Sequence, residues 1–396
     1  MNHSLEDPDY VPRSLDLDRV FSRGDGQAPR EKLRIAIIGA GSMGAEHAET
    51  VAAVGQARVV GLCDPNPSCV DYTLRQVPDR DSVVVFDTPE EAAAAENVDA
   101  LIIATPNNTH WDTIRRVLPY EKHLLVEKPM TATIEDAVAV AEAVEAYPAT
   151  FYVGLEIRFK PFIQEVLYEV QKRKSVGDVK MISIMEHRVP FLEKWQQWNK
   201  FQEQSGGTLV EKCCHFFDLF NLLAAAPPVR VFGSGGQDVA YRNYAHQGRA
   251  ADVIDNAFVT VDYANGVRAC LNLCMFNQRG LREQITINGD RGALYATNVP
   301  EDRIEILSAG AELDRVVTPK ANPRVASTGT HAGATYYEHA AFYDCIRNGG
   351  KPVADVCDGL TSVAVGALAE QSIREGRPVE VPESLKRYFK RSEGGA

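Results

Sequence analysis

At 396 residues the chain exceeds one ordinary domain and is long enough to bury a large core. Hydrophobic residues at 45% and charged residues at 24% are the balance of a folded globular protein, not of a disordered one. A formal net charge of −12 argues against nucleic acid or an anionic membrane as partner. No apolar run is long enough to span a bilayer and no signal-type h-region opens the chain, so a cytoplasmic protein is expected. The eight cysteines include no C-x-x-C pair, and adjacent Cys213 and Cys214 cannot easily share a tetrahedral site without further ligands, so no metal is expected.

Residues 1–30, rich in Asp, Arg, Pro, Gly and Ser, lack periodicity and read as an N-terminal arm. Residues 31–155 then alternate strand and helix patterns. Strands are predicted at Leu33–Ile38, Val59–Cys63, Val83–Phe86, Ala100–Ala104, His123–Val126 and Phe151–Gly154, with helices at Ala45–Val54 and at Ile134–Ala146 behind a Thr133 cap. Thr88-Pro89-Glu90-Glu91 is another helix start, with a cap, a proline at the first position and an acidic first turn. This alternation predicts an α/β Rossmann domain on a doubly wound parallel sheet.

Where the first strand meets the first helix, the sequence is Gly39-Ala40-Gly41-Ser42-Met43-Gly44. In this G-x-G-x-x-G, Gly39 makes the tight turn, Gly41 admits a pyrophosphate to the backbone, and Gly44 lets helix and strand pack closely. The helix N-terminus offers free N–H groups to the phosphates. Asp64 ends the second strand about 25 residues after Gly39, the place of the carboxylate that accepts adenosine ribose hydroxyls. Its charge would repel a 2′-phosphate, so NAD is expected rather than NADP.

Residues 156–396 have a different texture and read as a substrate-binding and oligomerisation domain, with C-terminal helices that pack back on the first domain. A helix at Pro161–Lys172 and a strand at Val179–His187 precede a polar loop, and Thr208–Ala225 follows as one helical pattern. Strands are predicted at Val229–Gly233, Ala257–Tyr263, Val267–Phe276, Gln284–Asn288, Ala293–Ala296 and Ile304–Leu307, with Ala264-Asn265-Gly266-Val267 as a hairpin signal. They imply an α+β domain with an open, mostly antiparallel sheet, one face on helices and one free. Helices at Tyr336–Arg347 and Gly359–Glu375 close the chain.

Across about residues 33–380 the chain resembles the Gfo/Idh/MocA oxidoreductase family. The resemblance is carried by the glycine loop, Ala104-Thr105-Pro106-Asn107-Asn108-Thr109-His110, Glu127-Lys128-Pro129, Val153–Pro161, and the run from Gly206 to Asp218. It implies NAD(P)-dependent hydride transfer on sugars, inositols and related polyols, in homodimers or homotetramers joined through the open sheet. Lys128 follows a buried strand, so it stands at the carboxyl end of the sheet beside the cofactor crevice. There a lysine of depressed pKa can take or relay the hydroxyl proton, the role the resemblance implies. Glu127 and Pro129 then fall on the cofactor side.

Glu211 and His215, four apart on a helical pattern, project from one face. The family pattern is Asp-x-Gly-x-His, from which Glu211 and Cys213 depart. The longer Glu211 is expected to reach substrate hydroxyls, with Lys212 adding charge beside it, while His215 assists proton transfer. The resemblance places Thr105, Pro106, Asn107 and His110 by the nicotinamide ribose and ring, and Arg158 near cofactor or substrate. The stretch from Glu186 to Lys200 is the substrate-facing candidate: His187, Arg188, Lys194, Trp195, Trp198 and Lys200 could stack on a sugar face or fork onto hydroxyls.

The leading reading is an NAD-dependent dehydrogenase of a small carbohydrate: a sugar, an inositol or a glycoside. The alternative is an NAD-dependent glycoside hydrolase or lyase using transient C3 oxidation, elimination, water addition and re-reduction, for which an anionic sugar would suit Arg188, Lys194 and Lys200. A non-catalytic cofactor-binding regulator is the third class, disfavoured because Lys128 and His215 are both present.

Overall fold

The computed structural model describes residues 31–310, 315–322, 325, 328, 329 and 331–389; the expected N-terminal arm lies outside them. Strands β1 (Leu33–Ile38), β2 (Ala57–Cys63), β3 (Val84–Val85), β4 (Ala100–Ile103), β5 (His123–Glu127) and β6 (Phe151–Gly154) form a six-stranded sheet in the order β3-β2-β1-β4-β5-β6. Every pairing in it is parallel. Helices α1 (Ser42–Val54), α2 (Pro67–Leu74), α3 (Pro89–Ala94), α4 (His110–Val117) and α5 (Ile134–Ala143) supply the connections. Ile35, Ile37, Leu101, Ile102, Leu124 and Leu125 are fully buried, as apolar runs covered on both faces must be. Chain direction across the sheet reverses at β1, so the crevice at the carboxyl ends of β1 and β4 is the topological switch point where such folds bind ligands.

Sequence patterning passed over α2, although it carries its own start signal: the Asn66 side chain accepts the Ser68 N–H and Pro67 takes the first helical position. After β6, helix α6 (Pro161–Leu167) loosens into a π turn over Tyr168–Lys172. The expected helix over 208–225 is two: α8 (Thr208–Glu211) and α9 (Cys214–Ala224), separated by a turn at Lys212 and Cys213; the short α7 (Gln202–Ser205) precedes them.

The second sheet has nine strands, with β7 (Val179–His187), β8 (Pro228–Gly236), β11 (Asn256–Tyr263), β12 (Arg268–Cys274) and β13 (Arg282–Gly289) at its centre. Strands β14 (Gly292–Thr297), β15 (Arg303–Ser308) and β16 (Arg315–Val317) extend one edge, β17 (Val379–Glu380) closes the other, and β9 (Ala245–His246) with β10 (Arg249–Ala250) forms a separate ribbon. Within the nine strands only the β7–β12 pair is parallel. Alternation divides the faces cleanly. Ala257, Val259 and Val261 of β11 point inward toward α9 and α11 (Val356–Glu375), whereas Phe258 is 60% exposed on the outer face and Met181 of β7 is 57% exposed there.

Helix α10 (Ala334–Asn348) returns to the first sheet's layer, stacking His339 on His47 of α1, and Arg347 donates to the Gln56 carbonyl at 3.0 Å. Among the described residues no helix is long and apolar enough to cross a membrane.

Candidate active site

The glycine loop is shaped by contacts that leave no room for side chains at two of its three glycines. Gly39 has φ +94°, and a Cβ there would lie 2.6 Å from the Ala104 carbonyl; one on Gly44 would lie 2.2 Å from the Gly39 oxygen. Gly41 is different: a Cβ there would meet nothing within 4 Å. That open space lies at the start of α1, whose N-terminus has no side-chain cap. Unclaimed helix N–H groups beside open space are what a pyrophosphate requires, so these residues fit NAD. Ala40 is buried, while Ser42 and Met43 form the exposed and half-buried first turn. Asp64 braces the loop by accepting the Ala40 N–H on Oδ2 and the Asn66 N–H on Oδ1, both at 2.8 Å; a carboxylate retains lone pairs for ribose hydroxyls beyond these two bonds.

Lys128, at the end of β5, extends toward α8, its Nζ 3.4 Å from the Glu211 carbonyl oxygen. Burial disfavours the lysine's charge, but Glu211, Cys214, Glu156 and Glu127 outweigh it and hold the ammonium above the ordinary lysine value. The expected depression is therefore reversed, because the carboxylates surround the ammonium. The Glu211 carboxylate accepts from Asn107 Nδ2 at 2.5 Å and from Lys194 Nζ at 3.4 Å. Against burial, the charges of Lys128 and Lys194 keep it ionised below the usual range. Its side chain thus bridges two protein groups, where the sequence suggested substrate hydroxyls.

His215 is buried at the start of α9, with Nε2 3.3 Å from Glu156 Oε1. Burial pushes its pKa down to about 4 despite Glu156, so the ring is a neutral base at ordinary pH. Glu211 and His215 sit on separate helices, not on one helical face, because the chain turns between them. The turn directs Lys212 to Glu186, 3.1 Å away on β7.

Several predicted contacts lie elsewhere. Arg158 is committed to a buried network: Nε donates to Asp218 Oδ2 at 2.6 Å, Nη2 to Asp218 Oδ1, and Nη1 to the Val353 carbonyl and to Asp358. It ties β6's exit to α9 and α11 and leaves little of the guanidinium for a cofactor. His110 is buried with Nε2 2.9 Å from the Thr105 carbonyl and Nδ1 3.0 Å from that of Pro129; burial lowers its pKa, so the neutral ring's one N–H donates to one of them and neither edge is free. Asn107 likewise donates to the Ser205 carbonyl and Glu211. Thr105 and Pro106 remain half-buried at the β4 end, over Gly39. The Glu127 carboxylate faces His47 and the Lys128 N–H.

In the substrate-facing stretch, parity decides. On β7, Ile182, Ile184 and Glu186 point inward, which turns His187 to the outer face, 3.2 Å from Asn272. The inward residue is Glu186, fully buried beside Lys212 and, at 3.9 Å, Arg188; the sequence pattern gave no reason to prefer it to His187. Lys194 reaches Glu211 and lies 4.5 Å above the Trp198 ring, which is buried; Trp195 is 61% exposed. Lys200 points to Gln197 and the Tyr244 ring, away from this cluster.

Comparison with known proteins agrees with this geometry. The model of an oxidoreductase family's NAD-binding Rossmann fold matches residues 33–155, and that of the same family's C-terminal alpha/beta domain matches residues 172–381. The chain is 25% identical over 361 residues to scyllo-inositol 2-dehydrogenase (NAD(+)) of Bacillus subtilis, covering 90% of this chain and 98% of that protein. It is 27% identical over 351 residues to inositol 2-dehydrogenase of Rhizobium meliloti, covering 88% and 99%. The solved structure of levoglucosan dehydrogenase with NADH and levoglucosan shares the fold at a TM-score of 0.76 and 18% identity, over 89% of this chain and 100% of that one. The chain therefore belongs to the Gfo/Idh/MocA oxidoreductase family and is an NAD-dependent oxidoreductase of that kind.

Proposed function

We propose that the protein oxidises a secondary alcohol carbon of a cyclic polyol or sugar. What supports this reading is a cationic lysine at the end of β5 with its Nζ 3.4 Å from the Glu211 carbonyl, an ionised glutamate and a neutral histidine within reach of its charge, and the open Gly41 loop at the carboxyl end of the same sheet. Bound NAD, held by the Gly39–Gly44 loop and Asp64, supplies the hydride acceptor. Lys128 stays charged and donates to the carbinol oxygen, stabilising its developing negative charge. His215 takes the hydroxyl proton on a ring nitrogen that is free at neutral pH. Glu211 fixes Lys194 and Asn107 around the lysine. The inositol and sugar dehydrogenases among its relatives support a polyhydroxylated ring as substrate.

Glu211 also favours a second reading, since a buried carboxylate kept ionised could serve as base for eliminating a glycosidic leaving group. One assay separates the two. The protein is given NAD with scyllo-inositol, myo-inositol, levoglucosan and nitrophenyl glycosides, and both NADH and released aglycone are followed. NADH accumulating with a ring polyol supports the dehydrogenase; cleavage without NADH supports the hydrolase; neither overturns both.

The outer face of the nine-stranded sheet, with Met181, Phe232, Phe258 and Tyr295 exposed, suits a homodimer or homotetramer that covers it. Cys63, Cys213, Cys214 and Cys345 are buried free thiols, which fits a reducing, cytoplasmic setting.

A further inference from the structure

An alcohol oxidised in a closed cleft must deliver its proton to water, and this inference rests on the oxidation proposed above. Glu156 takes no part in that scheme. It is 4% exposed, in the turn after β6, with Oε1 3.3 Å from His215 Nε2. The same oxygen lies 3.7 Å from Nε2 of His331, whose side chain is 29% exposed. His331 Nδ1 in turn lies 2.8 Å from Glu46 Oε1 on α1, which also accepts from Thr335. His215 Nδ1 is buried without a hydrogen-bond partner among the described residues. A carboxylate at Nε2 selects the tautomer with its proton there, leaving the Nδ1 lone pair as the base.

We propose that Glu156 and His331 form, with His215, a proton outlet from the buried site to solvent. The substrate O–H breaks as an N–H forms at His215 Nδ1. The His215 Nε2–H then passes to Glu156 Oε1, and from there to His331 Nε2 as His331 gives a proton to water. A tautomer exchange restores the resting ring. One proton moves at each step, and no electrons move along this path.

The charges around the path keep its resting proton on the imidazoles and leave the carboxylate ionised. Glu156 is faced by His215 of α9, His331 before α10, Lys128 after β5, Lys160 before α6 and Glu338 of α10. Burial alone would raise its pKa, but His215, His331 and Lys128 keep it well below the carboxylate range. His331 is faced by Glu46, Glu156 and Lys160; burial opposes its charge, yet Glu46 and Glu156 raise its pKa. His215 is faced by Glu156, Lys128, Lys212 and Glu283.

Glu156→Gln preserves the side chain's shape and removes its charge. With NAD and scyllo-inositol as probe, kcat should fall roughly 10²-fold with NAD affinity unchanged. His331→Ala should also slow turnover, and added imidazole should restore it, which a merely structural role would not allow. Ring titrations followed by NMR decide the matter whatever the substrate. In Glu156→Gln both the His331 and His215 titrations should move to lower pH. An unmoved His331 titration, or Glu156→Gln with a wild-type rate and pH profile, overturns the outlet. Wild-type protein that forms no NADH from any polyol overturns the dehydrogenase reading instead.

Discussion

Asp218→Asn tests the placement of Arg158 in the frame of the protein and not in its cofactor site. Both Asp218 oxygens accept from the Arg158 guanidinium, and the two residues are 1% and 3% exposed. Removing one partner of such a buried pair typically costs about 3–5 kcal/mol, because the remaining charge keeps its desolvation penalty. Asp358, 3.3 Å from Nη1, and the Val353 carbonyl still hold the guanidinium, so the lower end applies. A loss of about 3 kcal/mol is roughly a hundredfold in the folding constant. Urea unfolding should show a lower midpoint at unchanged slope, while titration of folded protein gives an unaltered NAD dissociation constant. A variant of wild-type stability with weakened NAD binding would refute the reasoning and return Arg158 to the cofactor.

Asp64→Ala should narrow the preference for NAD over NADP, read by fluorescence titration; a clear wild-type preference for NADP would contradict the role of this carboxylate. Glu370, buried beside α8 with the Leu209 N–H donating to it, has a carboxyl pushed up to about 7 by burial from an ordinary 4.5. A folded-state pKa raised in this way contributes stability that is complete below 4.5 and lost as pH rises through 7. Glu370→Gln should therefore flatten the fall of the urea midpoint between about pH 4.5 and 7; an unchanged pH profile would count against it. Phe258→Asp places a charge at the middle of the exposed sheet face and should dissociate the oligomer in light scattering. A wild-type monomer across working concentrations would contradict the proposed interface.

Much of the fold was legible because its signals are local. The apolar runs of β1, β4 and β5, the Gly39–Gly44 loop and the Asn265-Gly266 turn each act within a few residues. The place of a candidate site residue was legible where chain position alone fixes it, as for Lys128 at the end of β5. What the sequence hid depends on contacts between distant segments. The residues from Thr208 to Ala225 keep an apolar helical pattern through Lys212 and Cys213, so nothing in the period reveals the turn that separates Glu211 from His215. His187 and Glu186 are equally polar, and only the parity of β7, fixed by Ile182 and Ile184, sends the glutamate inward. Arg158 matched a family motif, yet its partners Asp218 and Asp358 lie 60 and 200 residues away in sequence. The lysine's charge state was reversed for the same reason, since the carboxylates that set it come from other elements.

The most direct test of the account is Lys128→Ala, measured for NADH formation at saturating NAD with the best polyol substrate and, separately, for NAD affinity. In the proposed reaction Lys128 acts on the carbinol oxygen and not on the dinucleotide's adenosine half. The account thus predicts that turnover is lost by roughly 10²-fold or more while the NAD dissociation constant stays close to that of the wild type. Near-normal turnover in Lys128→Ala would contradict it, and the end of β5 would not be where the reaction occurs.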